Sequence, residues 1–326
     1  MPSEFGSYTG EQFFALQFPP RSFLVDKFIK EKDSVIFVGE EKSGKSILLF
    51  QLITALTSQH PFLDVYGVSK ACKVTYVQLE GELADSQDRF NRMIGSVDFD
   101  QSLFHILFSA PLQLQTLMGI TKLISDIETI HKPDVIIIDP IYFAMTGSLS
   151  DDEVVRQFVG NIRILKDYFQ CTIILVHHCH KIKTDPRGRV LTEGDNAIFG
   201  SVFFKAWADH TFLLRYDKPT ETRHLTCETQ RAGDIIKDLK LKLVQPNPLY
   251  FEVIQSFQNT WGRMYEFFRN NDRVQGYSMD EITSQMNIER HTFYRSVKTP
   301  LTDGILTSVK LGKVVYYRLA DDPKNG

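Results

Sequence analysis

The chain has little cysteine, no basic excess and no long apolar run, and each shortage removes a class of protein. Four cysteines (Cys72, Cys171, Cys179 and Cys227) lie far apart with no Cys-x-x-Cys pair. That leaves neither a disulfide framework nor a zinc ribbon, and points to a reducing cytoplasm. No stretch approaches the roughly 18 apolar residues of a membrane span. Residues 1–10 hold no basic segment leading into an apolar one, so the expectation is a soluble chain that is not exported. A formal net charge of −3 excludes coating nucleic acid over the whole surface. Any such contact has to use a local basic patch or a ring of several subunits. What remains is ordinary globular chemistry: 326 residues, 43% hydrophobic and 24% charged, a length that sets a prior of about two domains.

The most informative stretch is Ser34 to Thr54. An apolar run, Val35 to Val38, ends at Gly39 and is followed by Glu40, Glu41, Lys42, Ser43, Gly44, Lys45, Ser46 and Ile47, then a helical pattern. This is the strand, loop and helix order of the P-loop, G-x-x-x-x-G-K-[ST]. Gly39 and Gly44 let the backbone curl so that N–H groups face phosphate oxygens, and the helix start adds its positive dipole end. Lys45 is placed for the β- and γ-phosphates of ATP and the Ser46 hydroxyl for Mg²⁺. Glu40 and Glu41 are unusual beside phosphates and are expected to face solvent or a neighbouring subunit.

Further along, residues 73–79 alternate as a strand and end on Glu80-Gly81-Glu82. A carboxylate at the carboxyl end of a strand beside the P-loop strand stands where open α/β sheets place catalytic groups; a helix cap for the helix Leu83 to Ile94 is the other reading. Arg89 and Arg92 on that helix read as surface or inter-subunit charges. Leu117, Ile120, Ile124 and Ile127 repeat at helical spacing between Thr116 and Ile130, a core stripe. Val135 to Ile138 form a strand buried on both faces, and Asp139 at its end suits the Mg²⁺ shell, the Walker B role. Tyr142 or Phe143 in the loop that follows is suited either to base stacking or to core packing. The strand 171–176 ends in His177-His178-Cys179-His180. Adjacent residues on a strand alternate faces, so these four do not converge on one metal ion.

With the segment Pro19-Pro20-Arg21-Ser22-Phe23-Leu24-Val25 ahead of the P-loop, these motifs resemble the RepA-like branch of the RecA-type ATPases, plasmid-encoded hexameric replicative helicases. The resemblance implies an α/β RecA-like core. It implies Glu80 as general base (Glu82 the substitute), one of His177 and His178, preferably His178, as γ-phosphate sensor, and a channel-facing loop. Lys181, Lys183, Arg187 and Arg189 between residues 181 and 199 are the candidate contacts to single-stranded DNA. Arg231 is the candidate arginine finger, although the family's Lys-x-Arg pair reads Thr229-Gln230-Arg231 here. The lead-in, with Phe18, Phe23, Leu24, Val25, Phe28 and Ile29, is expected to pack on the domain, with no regular element before Phe23.

From Phe257 the pattern changes to three short helices (Trp261 to Arg269, one starting at Ser278, and Ile288 to Val297) and a hairpin, 306–310 and 314–319. This resembles a winged helix-turn-helix. Nine Lys/Arg face six Asp/Glu between residues 257 and 320, and Arg290, Arg295, Lys298 and Lys313 are the candidate DNA contacts. The expected layout is a RecA-like ATPase domain, 1–255, and a winged-helix α+β domain, 256–326. Two functions fit: a homo-hexameric ATP- and Mg²⁺-dependent helicase or translocase on single-stranded DNA in replication or repair, or an ATP-switched DNA-binding assembly factor without unwinding. A small-molecule kinase explains neither the C-terminal segment nor the His-His strand end.

Overall fold

The structure, a computed structural model, describes residues 8–18, 20–94, 99–108, 112–178, 201–230, 236, 238–257 and, with gaps, 264–320. In chain order the first elements are α1 (Gly10–Ala15), β1 (Phe23–Val25), β2 (Ile29–Lys30), β3 (Ser34–Gly39), α2 (Lys45–Ser58), β4 (Val74–Gln78), α3 (Leu83–Ile94), β5 (Phe104–Phe108), α4 (Leu117–Glu128), β6 (Val135–Asp139), α5 (Asp152–Phe169) and β7 (Thr172–His178). There follow α6 (Val202–Trp207), β8 (His210–Asp217), β9 (Thr222–Gln230), β10 (Asp238–Val244) and β11 (Tyr250–Phe257).

The unbroken apolar runs become the centre of a nine-stranded sheet, ordered β11-β10-β9-β8-β3-β7-β6-β4-β5. The strands from β8 to β5 are parallel, and β9 to β11 extend the sheet antiparallel. Alternate residues of β3 feed opposite faces: Val35 and Phe37 enter one core with α2 and α3, and Ile36 and Val38 enter a second with α4 and α5. Burial on both faces is why these strands read as continuous Val/Ile/Leu rather than alternating. Thr116 caps α4 by accepting from the Gly119 N–H, and Asp151 caps α5, which sets the starts of both helices.

The remaining elements are β12 (Tyr277–Ser278), α7 (Met279–Met286), α8 (Arg290–Thr302), β13 (Leu306–Leu311) and β14 (Val314–Leu319), with the strands in the order β12-β14-β13. Ser278 and Glu281 form a reciprocal capping box at the start of α7. Met264, Phe268, Ile282, Met286, Phe293, Val297, Leu306 and Tyr317 make a separate apolar cluster.

Three expectations need correction. A short helix, α1, precedes Phe23, and its Thr9–Gln12 capping box is the reason. Leu24, Val25, Phe28 and Ile29 pack as expected, but Phe18 is 75% exposed, because Pro19-Pro20 separates it from the packed strands. The third C-terminal helix runs past Val297 to Thr302 and contains Pro300 in its last turns, a position that loses a hydrogen bond without ending the helix. Among the described residues no helix is long and apolar enough to cross a membrane.

Candidate active site

The carboxyl ends of four neighbouring parallel strands build the site. In register, Gly39 at the end of β3 lies beside His178 of β7 and Leu214 of β8, and Gln78 at the end of β4 lies beside Asp139 of β6. Residues far apart in sequence therefore arrive at one edge, the edge at which α/β sheets hold ligands.

The loop after β3 depends on both of its glycines. A Cβ on Gly39 would stand 2.6 Å from the Leu214 carbonyl oxygen. At Gly44 the backbone is left-handed, φ +98°, and a Cβ would stand 2.6 Å from the Phe251 ring, a conformation and a closeness that only glycine accepts without strain. Lys45, the first residue of α2, is 5% exposed, and its Nζ donates to the carbonyls of Gly39 at 2.8 Å and Glu40 at 2.7 Å. The buried Ser43 hydroxyl has no partner among the described residues. Ser46 is half-buried one residue further on.

Asp139 is 7% exposed and accepts a 2.6 Å hydrogen bond from the Tyr76 hydroxyl. Burial pushes its carboxyl up to about 6, against the opposing pull of the Tyr76 hydrogen bond and the Lys45 charge. Tyr76 is itself held well above the usual tyrosine range, by burial first and by Asp139 second. Its ring meets Phe50 of α2 edge-on at 5.4 Å, so the strand that bears the tyrosine is keyed to the P-loop helix. Glu80 lies beyond β4 with its side chain half exposed, and its Oε2 is 4.0 Å from His178 Nε2. Burial, then the Lys45 charge, lowers His178 to about 4, with Glu41 pulling the other way. That imidazole is neutral at pH 7. His177 points elsewhere and packs on Phe204 at 5.5 Å.

Of the sequence candidates, the structure brings Gly39, Gly44, Lys45, Ser46, Glu80, Asp139 and His178 to one edge. Glu41 and Lys42 face solvent. Arg92 binds the chain itself, donating to the Pro246 carbonyl at 2.7 Å. Tyr142 is 61% exposed beside Phe143. Lys181, Lys183, Arg187, Arg189 and Arg231 lie outside the described residues. Arg290, Tyr294 and Lys298, four residues apart on α8, are all exposed, with Arg290 paired to Asp280 at 2.9 Å, and Lys313 is exposed in the β13–β14 turn; the side chain of Arg295 lies outside the described residues.

Three residues at the site escaped the sequence reading. Tyr76 carried a weak signal, a lone phenol inside an apolar strand two residues before its end. Arg223 and Phe251 carried none. Arg223 lies over the Tyr216 ring at 4.2 Å, donates to the Ser43 carbonyl at 3.3 Å and is 5.8 Å from the Phe251 ring. Burial lowers its guanidinium below the usual arginine range.

The residues present fit a Mg²⁺-nucleotide. The glycine cradle is one a Cβ would fill, and the Ser43 hydroxyl is buried without a partner among the described residues. The buried Asp139 carboxylate has a raised pKa of the kind a nearby cation lowers. The parallel-rich sheet and this edge define a RecA-type P-loop ATPase. More particularly, the chain belongs to the AAA domain family, whose sequence profile matches residues 2–183. Among solved structures, the ATPase domain of a helicase is similar at a TM-score of 0.53 and 12% identity, covering 69% of this chain and 86% of that one. The KaiC-like protein PH0186 from the hyperthermophilic archaeon Pyrococcus horikoshii OT3 gives 0.48 and 15%, covering 70% and 93%. No curated protein matches the chain.

Proposed function

We propose that the chain is an ATP-driven helicase or translocase that acts on single-stranded DNA in replication or repair, working in the cytoplasm as a homo-hexamer with nucleotide between subunits. The observation that carries the ATPase half is the placement of Glu80 and His178 within 4.0 Å of each other beside the Lys45 loop and Asp139. In this reading the loop N–H groups and Lys45 hold the triphosphate, and Ser46 and Asp139 would hold Mg²⁺. That ion, when bound, offsets charge on the β- and γ-phosphate oxygens. The Glu80 carboxylate orients a water and takes its proton as the oxygen bonds the γ-phosphorus and the bond to ADP breaks. Neutral His178, next to Glu80, senses the γ-phosphate and passes its loss to the loop that follows β7. Arg231 is the proposed finger from a neighbouring subunit, and Lys181, Lys183, Arg187 and Arg189 the proposed channel contacts.

Residues 256–326 are proposed as a winged-helix domain beside an ATPase domain of residues 1–255, with Arg290, Arg295, Lys298 and Lys313 toward DNA. The exposed Arg290, Tyr294 and Lys298 face of α8 favours a second reading, a duplex-binding assembly factor switched by ATP. Steady-state hydrolysis without DNA, with single strands and with duplex, beside Lys45→Ala and Glu80→Gln, separates the two. Stimulation by single strands that both substitutions abolish supports the motor. Hydrolysis indifferent to single strands overturns it and favours the switch.

A further inference from the structure

Residues 8–18 take no part in the site. Tyr8, Phe13, Phe14 and Phe18 are 58%, 57%, 85% and 75% exposed, and α1 buries no residue. The Phe13 and Phe14 rings meet each other edge-on at 5.5 Å. The turn is nonetheless formed in advance, because Thr9 and Gln12 cap each other at 2.9 and 3.2 Å. A helix this short is far below the roughly 12–15 residues needed to persist alone in water. It requires a covering surface, and its aromatic rings supply the apolar half of one. The root is fixed: Arg21 donates to Asp33 Oδ1 at 2.9 Å. Pro19-Pro20, just before it in sequence, is a stiff extended step that spaces the arm from its root.

The same chain carries a cavity of about 610 Å³ on the flank of α2, walled by Ala55, Pro61, Leu63, Met93, Pro248 and Tyr250. That size and apolar lining suit a buried aromatic ligand.

We infer that the aromatic arm of one copy docks in the α2 cavity of a second copy. Arm and cavity are different surfaces, so the contact is head-to-tail and propagates into a ring or filament instead of stopping at a pair. The area suffices. At about 150–250 Å² per aromatic side chain, the four rings at their present exposure bring roughly 550 Å². With an equal area from the cavity side this reaches the ~1,000 Å² of a specific interface. The inference concerns assembly alone and stands whether or not the assembly moves DNA.

The test uses the full-length chain. Sedimentation velocity compares wild type with Phe13→Ser/Phe14→Ser, and a circular-dichroism melt confirms that the variant is folded. Separately, a Phe14→Cys chain is mixed with a tagged Pro61→Cys chain and oxidised. The expected results are an assembled wild type, a folded double variant whose self-association is at least about 100-fold weaker, and a disulfide between the two chains. A variant that assembles like wild type overturns the inference, as does a wild type that stays monomeric. So does an absent disulfide between chains, including the case in which one forms only when both cysteines are on the same chain, which would mean that the arm covers its own cavity. The disulfide forms with or without ATP turnover, so this failure is distinct from failure of the helicase reading.

Discussion

Replacing Asp139 by Asn is expected to stabilise the protein while removing its hydrolysis. The carboxyl is buried and its pKa stands at about 6 against an ordinary 3.8, a rise of about two units at 1.36 kcal/mol each, or roughly 3 kcal/mol. The direction follows from linkage: an acid whose folded pKa is raised binds its proton more tightly when folded, so stability falls as pH climbs from 3.8 to about 6. The full cost is present above that range and absent below it. Asn carries no charge, and its carbonyl still accepts from the Tyr76 hydroxyl. In EDTA and without nucleotide, Asp139→Asn should therefore melt higher than wild type at pH 8, by roughly 6–12 °C at about 2–4 °C per kcal/mol for a domain of this size. The advantage should fade as pH falls to 4. Differential scanning fluorimetry at pH 4, 6 and 8 measures it. A variant less stable than wild type at pH 8, or an offset that ignores pH, refutes the reasoning. Added Mg²⁺ should narrow the gap by stabilising only the wild type.

The other substitutions probe single contacts. Tyr76→Phe removes the 2.6 Å hydrogen bond to Asp139 and should raise the Mg²⁺ needed for half-maximal hydrolysis by about 10-fold or more, as loss of a metal ligand's outer partner does; an unchanged Mg²⁺ titration would count against it. Since His178 is held at about 4, hydrolysis should show no inflection from this imidazole between about pH 5.5 and 8, and an acid limb near 6.5 that disappears in His178→Gln would contradict the assignment of a neutral ring. Phe251→Ala empties the space behind Gly44 and should cost about 3–5 kcal/mol in urea unfolding, with weaker binding of a fluorescent ATP analogue. A loss below about 1 kcal/mol would mean that the ring does not brace the loop.

The parts legible in sequence are those in which one short stretch dictates its own geometry. The P-loop announces itself because the strand, the two glycines and the helix start are contiguous, and the helix Leu83–Ile94 is bounded correctly by its own amphipathic period. Asp139 and His178 are legible because buried parallel strands are unbroken apolar runs whose first polar residue marks the carboxyl edge. The contacts that hold those residues are not. Tyr76 reaches Asp139 across 63 residues, and only the adjacency of β4 and β6 makes them neighbours. Arg223 and Phe251 arrive on antiparallel strands whose alternation says that they are strands but not which loop they cover. The arm misleads because prolines near Phe18 argue against regular structure locally, whereas a capping box six residues upstream works independently of them.

The back of the P-loop has a consequence for how much of the chain is needed. The recognisable family region ends at residue 183, yet the Leu214 carbonyl and the Phe251 ring are what press on Gly39 and Gly44, and Gln51 of α2 bonds the Phe251 backbone in both directions at 2.9 Å. A shortened protein cut after β7 would keep every named motif and lose the wall that gives the loop its shape. Loss of nucleotide binding in such a fragment would report a missing buttress and say nothing about the motifs. The smallest piece worth expressing to study phosphate binding therefore runs through β11, to Phe257.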